Sequence, residues 1–211
     1  MIDTLQKYPL VPVFFHADAG YAQKILQACY DGGMRFFEFT NRGPEAPEVF
    51  AQLSAYKQQH CPEMLLGIGT IYTVEDAELF IDTADFIVQP VTTEEVCNIC
   101  KQHNKPWLPG ATTPNEIYQA WRMGAAVVKV FPGSLVGPDF IKVIRGPMPH
   151  IPLMVNGGIE PDTAQLQTWF EAGVNALGIG TQLFKTGDSE DFSAIQTRVA
   201  DLMAFVKTLQ K

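Results

Sequence analysis

The feature that most constrains this chain is an alternation repeated eight times. A short apolar run is followed by a longer amphipathic stretch, and the next apolar run begins roughly 20–29 residues on. The runs fall at 10–16 (LVPVFFH), 36–41 (FFEFTN), 65–71 (LLGIGTI) and 86–90 (FIVQP), and then at 106–111 (PWLPGA), 127–132 (VVKVFP), 152–158 (PLMVNGG) and 176–181 (ALGIGT). They are short, bounded by Gly and Pro, and apolar on both faces, as strands of a helix-covered parallel sheet are. The stretches between them carry helix punctuation. Thr73-x-x-Asp76, Thr92-x-x-Glu95 and Thr113-Pro-Asn-Glu116 read as capping boxes, and Asp31-Gly-Gly33, Met123-Gly124 and Ala172-Gly173 read as helix ends. Phe192, Ile195, Val199, Leu202, Val206 and Leu209 recur at steps of three and four, one core-facing stripe of a last helix.

Eight such units in one chain predict an α/β fold, a (βα)8 TIM barrel, with residues 1–211 as a single barrel domain. The alternative, a doubly wound open sheet, usually carries a Gly-rich fingerprint after its first strand; here that strand runs into His16-Ala-Asp-Ala-Gly20. No linker, low-complexity tract or charge block divides the chain.

Composition narrows the function classes. Fifteen lysines and arginines against 23 aspartates and glutamates give a net charge of −8, which argues against nucleic acid or an anionic membrane as the main partner. It leaves room for an anionic small molecule in a locally positive pocket. No apolar run approaches the ~18 residues of a membrane span, the first residues lack a signal-peptide pattern, and four cysteines are too few for a disulfide framework. A cytoplasmic location is expected. No HExxH, Walker A loop or dinucleotide fingerprint occurs, and Cys97-Asn-Ile-Cys100 lacks a second pair, so neither metal nor cofactor is expected.

In a TIM barrel the chemistry sits at the C-terminal ends of the strands. Two residues there do not suit a bland barrel. Lys129 is the one lysine of ten that interrupts an apolar strand. Burying an ammonium is costly unless it is paired or gives up its proton, and a desolvated neutral amine can form a Schiff base with a carbonyl. The alternatives are a lysine in a structural salt bridge and one that binds an anion. Glu38 lies between Phe37 and Phe39. A carboxyl deprived of water holds its proton more tightly, which suits proton transfer near neutrality, while an ammonium nearby pulls the other way. The pair matters more than either member: a lysine attacks a ketone, and a carboxyl moves the protons.

Around them, Arg42 offers a fork for a carboxylate or phosphate, or else a surface salt bridge. Thr70 ends a strand whose glycines let a ligand approach the backbone, or is a sheet threonine. The glycine-rich ends Asn156-Gly157-Gly158 and Gly178-Ile-Gly180-Thr181 lie where this fold commonly holds phosphate. His16 is the one histidine at a strand end.

Taken together, Pro9-Leu-Val-Pro-Val13, Phe37-Glu-Phe-Thr-Asn-Arg42, Gly67-Ile-Gly-Thr70, Leu108-Pro-Gly-Ala-Thr-Thr-Pro114, Val128-Lys-Val-Phe-Pro132, Gly137-Pro-Asp-Phe-Ile-Lys142 and Val155-Asn-Gly-Gly-Ile159 resemble, in order and over nearly the whole chain, the class I 2-keto-3-deoxy-6-phosphogluconate aldolase family, which includes 4-hydroxy-2-oxoglutarate and phosphogalactonate-cleaving aldolases. The resemblance implies that Lys129 is the Schiff-base lysine and Glu38 the proton shuttle. It implies further that Arg42 and Thr70 hold the pyruvyl carboxylate, that Phe131 walls the lysine, that Pro90 contacts substrate, and that Gly157, Gly158, Gly180 and Thr181 form the phosphate end. It also implies a homotrimer with no metal, acting on a small keto acid sugar phosphate. The segment Gly133-Ser-Leu-Val-Gly-Pro138 looks closer to the phosphogalactonate branch.

Overall fold

In the computed structural model, which describes residues 1–186 and 191–209, the eight apolar runs close into a parallel barrel. In chain order the elements are α1 (Ile2–Lys7), β1 (Leu10–Phe14), α2 (Ala19–Asp31), β2 (Phe36–Thr40), α3 (Ala46–His60), β3 (Leu65–Gly69), α4 (Val74–Glu78), β4 (Phe86–Val88), α5 (Glu94–Gln102) and β5 (Trp107–Leu108). They continue as β6 (Gly110–Ala111), α6 (Pro114–Arg122), β7 (Val128–Val130), α7 (Gly133–Arg145), β8 (Leu153–Asn156), α8 (Thr163–Ala172), β9 (Ala176–Ile179), a 3-10 turn (Thr181–Phe184) and α9 (Phe192–Leu209).

The strand order β5-β4-β3-β2-β1-β9-β8-β7-β6 begins and ends on two halves of one strand, split at Pro109, which has no N–H to give a ladder. On one side Leu108 O accepts from Gln89 N–H; on the other, Trp107, Pro109 and Ala111 carbonyls accept from Ala126, Lys129 and Phe131 N–H groups. The predicted run 106–111 thus serves as one strand of the eight, and its two halves face different neighbours.

Side-chain parity sorts the core into two compartments. Odd and even positions of each strand point to opposite faces. Outward residues such as Phe37, Phe39, Val128, Val130, Val155 and Leu177 pack under the helices. Inward residues Val11, Phe36, Phe86, Val88, Leu108, Val127, Met154 and Ala176 fill the barrel with Leu5 of α1. That helix plugs the N-terminal end, and nothing in the sequence reading anticipates it: six residues are too few to show a period.

The helix signals hold at Thr73 and Thr113, both full capping boxes. Thr92 is a correction. Its hydroxyl donates to Gly110 O at 2.9 Å, and α5 is entered one residue later, at Thr93, with no side-chain cap. The acceptor lies 18 residues away in sequence, so a local pattern could not reveal the competition. The segment 133–138 is the first turn of α7, interrupted at Gly137 (φ 71°) and resumed at Pro138. In α9, Ile195, Val199, Leu202 and Val206 are buried as the stripe predicts.

Candidate active site

Parity also delivers the polar residues. Lys129 stands between outward Val128 and Val130, so it points inward with Val127 and Phe131; Glu38 stands between outward Phe37 and Phe39, so it points inward with Phe36. The two come from β7 and β2, 91 residues apart, and meet inside the barrel. Lys129 Nζ donates to Glu38 Oε1 at 3.3 Å, with the residues 6 % and 1 % exposed. The ammonium also lies 5.4 Å from the centroid of the Phe131 ring.

A third polar residue completes the interior layer. Asn156, at the end of β8 and 3 % exposed, donates from Nδ2 to Glu38 Oε2 at 3.3 Å. Its Oδ1 is buried and takes no partner from the described residues. The sequence placed Asn156 at a strand end and gave it no role.

Glycines on neighbouring strands make room for this layer. A Cβ on Gly69 would overlap the Glu38 carboxylate, and one on Gly178 would overlap the Asn156 amide. The glycines of β3 therefore seat side chains from adjacent strands, whereas the sequence suggested an approach for ligand. Gly180, by contrast, has open space where its side chain would be.

Above the pair opens a cavity of about 490 Å³. It reaches Lys129, and its wall includes Arg42, Phe131, Gly157, Gly158, Gly180 and Thr181 of the predicted set. Val13, Phe15, Asn156, Ile159, Glu160 and Gln182 also line it. Glu38 lies beneath, reached through Lys129. Thr70 and Pro90 are not in this wall. Thr70 sits at the end of β3 with a left-handed backbone (φ 64°), uncommon outside glycine and of the kind found at binding sites. Pro90 lines a separate cavity of about 280 Å³ with Gly110, Thr112 and Glu116.

His16 is not in the wall either: its ring lies tilted against Tyr21 with centroids 4.4 Å apart, and its Nδ1 accepts from Asp18 N–H at 3.0 Å. Phe15 takes the lining position because it shares the parity of Val11 and Val13. Strand alternation carried that signal in the sequence.

The charges at the mouth are mixed. Arg42 is exposed and, among the described residues, pairs with no carboxylate; Glu160 contributes one negative group. The Glu160 N–H is already taken by Gln165 Oε1 at 2.6 Å, while Gly157 and Gly158 turn with φ 87° and 81°. The cysteines stand apart from the site. Burial pushes the Cys100 thiol up to about 12 and the Cys61 thiol up to about 11, and Cys29 is raised further. None of these three is a thiolate near neutrality. Among the described residues no cluster of His, Cys, Asp or Glu could hold a metal, and no helix is long and apolar enough to cross a membrane.

A buried ion pair alone would suit a purely structural role. The cavity opening onto its lysine distinguishes this one: an amine with a carboxyl partner, reachable by a small keto compound, is the equipment of a Schiff-base enzyme. The fold and the relatives below define a class I aldolase, a carbon–carbon lyase. The chain belongs to the KDPG and KHG aldolase family, whose model matches residues 1–198. It is 27% identical over 207 residues to the 2-dehydro-3-deoxy-6-phosphogalactonate aldolase of Escherichia coli (strain K12), covering 97% of this chain and 96% of that one. It is 31% identical over 161 residues to the 2-dehydro-3-deoxy-phosphogluconate aldolase of Treponema pallidum, covering 75% of each. Among solved structures, a KDPG aldolase from Legionella pneumophila, with pyruvate captured at low pH as a covalent carbinolamine intermediate, superposes with a TM-score of 0.79 at 22% identity. The match covers 96% of this chain and 95% of that one.

Proposed function

We propose that the enzyme cleaves 2-keto-3-deoxy-6-phosphogluconate to pyruvate and glyceraldehyde 3-phosphate through a Schiff base on Lys129. The observation that carries the reading is the buried 3.3 Å contact between Lys129 and Glu38 at the floor of an open cavity. Lys129 passes a proton to Glu38 and attacks the C2 ketone. Attack leaves an alkoxide on C2; one proton from the nitrogen and the one held by Glu38 pass to it, relayed by a water, it leaves as water, and the iminium forms. Glu38, again a carboxylate, takes the C4 hydroxyl proton; the C3–C4 bond breaks, and its electron pair neutralises the iminium as an enamine. The aldehyde leaves, Glu38 protonates C3, and water releases pyruvate. No cofactor enters these steps.

In this reading Arg42 and Thr70 take the carboxylate of the pyruvyl half, Phe131 walls the lysine, and Pro90 contacts substrate from the neighbouring strand end. Gly157, Gly158, Gly180 and Thr181 receive the phosphate at the far end. The enzyme works as a homotrimer in the cytoplasm, with neither nucleic acid nor membrane as partner.

A second reading has its own support. A relative matching 97% of the chain is named for the phosphogalactonate epimer, and the segment Gly133–Pro138 looks closer to that branch. Cleavage of 4-hydroxy-2-oxoglutarate would use the same machinery without the phosphate end. Borohydride reduction in the presence of pyruvate tests the chemistry: it adds mass at Lys129, and a clean failure to trap refutes the mechanism. A non-covalent isomerase or synthase, using Lys129 as an anion clamp, would bind phosphorylated ligands and give no adduct. A pyruvate-detecting assay with lactate dehydrogenase, run on the two epimeric acids, decides between the substrates.

A further inference from the structure

We propose that Asn156 is a positioning residue for this reaction, anchoring Oε2 of Glu38 so that Oε1 is the oxygen that moves protons. The proposal rests on the Schiff-base reading and deepens it.

The two carboxylate oxygens have different partners. Oε1 faces Lys129 Nζ and Oε2 faces Asn156 Nδ2, each at 3.3 Å. A carboxylate can only accept, so the amide must turn its NH2 toward Glu38. The orientation is therefore chemically required.

The division of labour matters once reaction begins. As an ammonium, Lys129 has three N–H donors. As an iminium nitrogen it retains one, and as an enamine nitrogen it also loses its charge. The amide donor stays the same throughout. It can remain on Oε2 whether or not Oε1 carries a proton, so the carboxyl need not rotate between steps. A displacement of about 1 Å at such a group costs on the order of 10²-fold in rate.

The amide is itself held. Asn156 is 3 % exposed, and the missing side chain of Gly178 leaves the space its amide fills. The β7–β8 register pairs Lys129 with Met154 and Val130 with Val155, so Asn156 lies two positions, one inward-facing layer, nearer the mouth than the lysine. Its leftover Oδ1, buried in a residue of the cavity wall, has no partner among the described residues. A buried acceptor left unanswered is unfavourable, and a hydroxyl on what enters the cavity would answer it.

The groups facing Glu38 can be named strand by strand. β1 presents Val13, β3 Gly69, β8 Asn156 and β7 Lys129. Lys129 is the one charged group among them; Arg42 and Glu160 lie in the wall of the cavity above.

Asn156→Asp tests this with little change of shape. The variant puts a second carboxyl against Glu38, and the two hold a shared proton. Ionised, the introduced carboxylate repels Glu38; protonated, it donates to Oε2 as the amide does. The expected kcat/KM is at least about 100-fold below wild type at pH 8 and climbs about tenfold per pH unit as the pH is lowered. Wild-type kcat/KM stays flat or falls over that range.

Asn156→Leu, which branches at the same carbon but is bulkier and makes no hydrogen bonds, provides the second arm. It should exchange the methyl protons of pyruvate in D2O about 10–100-fold more slowly than wild type at every pH, while borohydride still traps pyruvate on Lys129. Exchange needs only the lysine and the carboxyl, so a purely structural loss would not separate it from trapping. A constant fractional loss in Asn156→Asp with the wild-type pH profile, or wild-type exchange in Asn156→Leu, overturns the proposal. Failure of the wild-type enzyme to trap pyruvate instead removes the aldolase reading on which it stands.

Discussion

Two glycines on β3, two residues apart and both facing the barrel interior, should respond oppositely to the same substitution. Neither has a positive φ, so alanine brings only the volume of one methyl group. A Cβ on Gly67 would overlap the ring of Phe86, which is 1 % exposed and packed against Phe36 with centroids 5.8 Å apart. That ring sits in the filled lower half of the barrel and has nowhere to go. Overpacking costs about 1–3 kcal/mol, and the upper end applies where the neighbour cannot shift. At about 2–4 °C per kcal/mol for a chain of this size, Gly67→Ala should lower Tm by roughly 6–12 °C. Below that temperature its kcat should stay within a few-fold of wild type.

A Cβ on Gly69 would meet the free end of Glu38, with Cδ 2.8 Å and Cγ 3.0 Å away. A flexible carboxylate under an open cavity can swing aside, so stability should fall by only about 1 kcal/mol. The swing takes Oε1 off Lys129, and about 1 Å of misplacement costs on the order of 10²-fold in kcat. The lysine is untouched, and borohydride should still trap pyruvate on it. Thermal unfolding, the coupled pyruvate assay and trapping, run on both variants, separate the two effects. If Gly69→Ala keeps wild-type kcat, the seat of Glu38 is not needed for turnover. If both variants lose activity equally while folded, the division of the barrel into a filled lower layer and a working upper layer is wrong.

Three further outcomes follow from other parts of the molecule. Leu5→Ala should cost about 3 kcal/mol, read by urea unfolding, because Leu5 is 2 % exposed and plugs the barrel against Val11, Phe36 and Met154; its kcat should not change. Arg42→Ala should lower kcat/KM by about one to two orders of magnitude, mostly through KM, as loss of a charge-assisted bond to a carboxylate would, with trapping still possible at high pyruvate. Glu116→Gln should destabilise by roughly 0.5–1 kcal/mol at neutral pH, because the Thr112 and Thr113 N–H groups, each 2.8 Å from its Oε2, hold its carboxyl below the usual range. A carboxyl lowered on folding stabilises above its unfolded pKa of about 4.3 and loses that contribution as pH falls through the lower folded value. The difference between wild type and variant, measured by urea unfolding, should therefore close in acid.

The sequence disclosed the barrel because its signals are local and repeated: short strands apolar on both faces, capping boxes at Thr73 and Thr113, and glycines closing helices. Strand parity was legible too, though unused: a charge flanked by outward-facing apolar residues must point inward, and that rule alone puts Lys129 and Glu38 inside. What it could not disclose is non-local. Thr92 gave up its cap for the Gly110 carbonyl, and Lys129 meets Glu38 across 91 residues and the full width of the barrel. Asn156 attracted no role because its meaning lies in the partners of its two amide atoms.

The glycines were the least transparent signal, and the structure gives them one physical explanation. An eight-stranded barrel is just wide enough for its own side chains. Where one strand contributes a bulky or functional side chain to a layer, a neighbouring strand has to contribute almost nothing. Phe86 has Gly67, Glu38 has Gly69 and Asn156 has Gly178. At these three positions an inward-facing glycine is a record of a side chain on the strand beside it, whereas Gly110 makes way for the backbone of Pro90. Gly180 has no such occupant among the described residues: the space its side chain would take lies open to the cavity above Lys129.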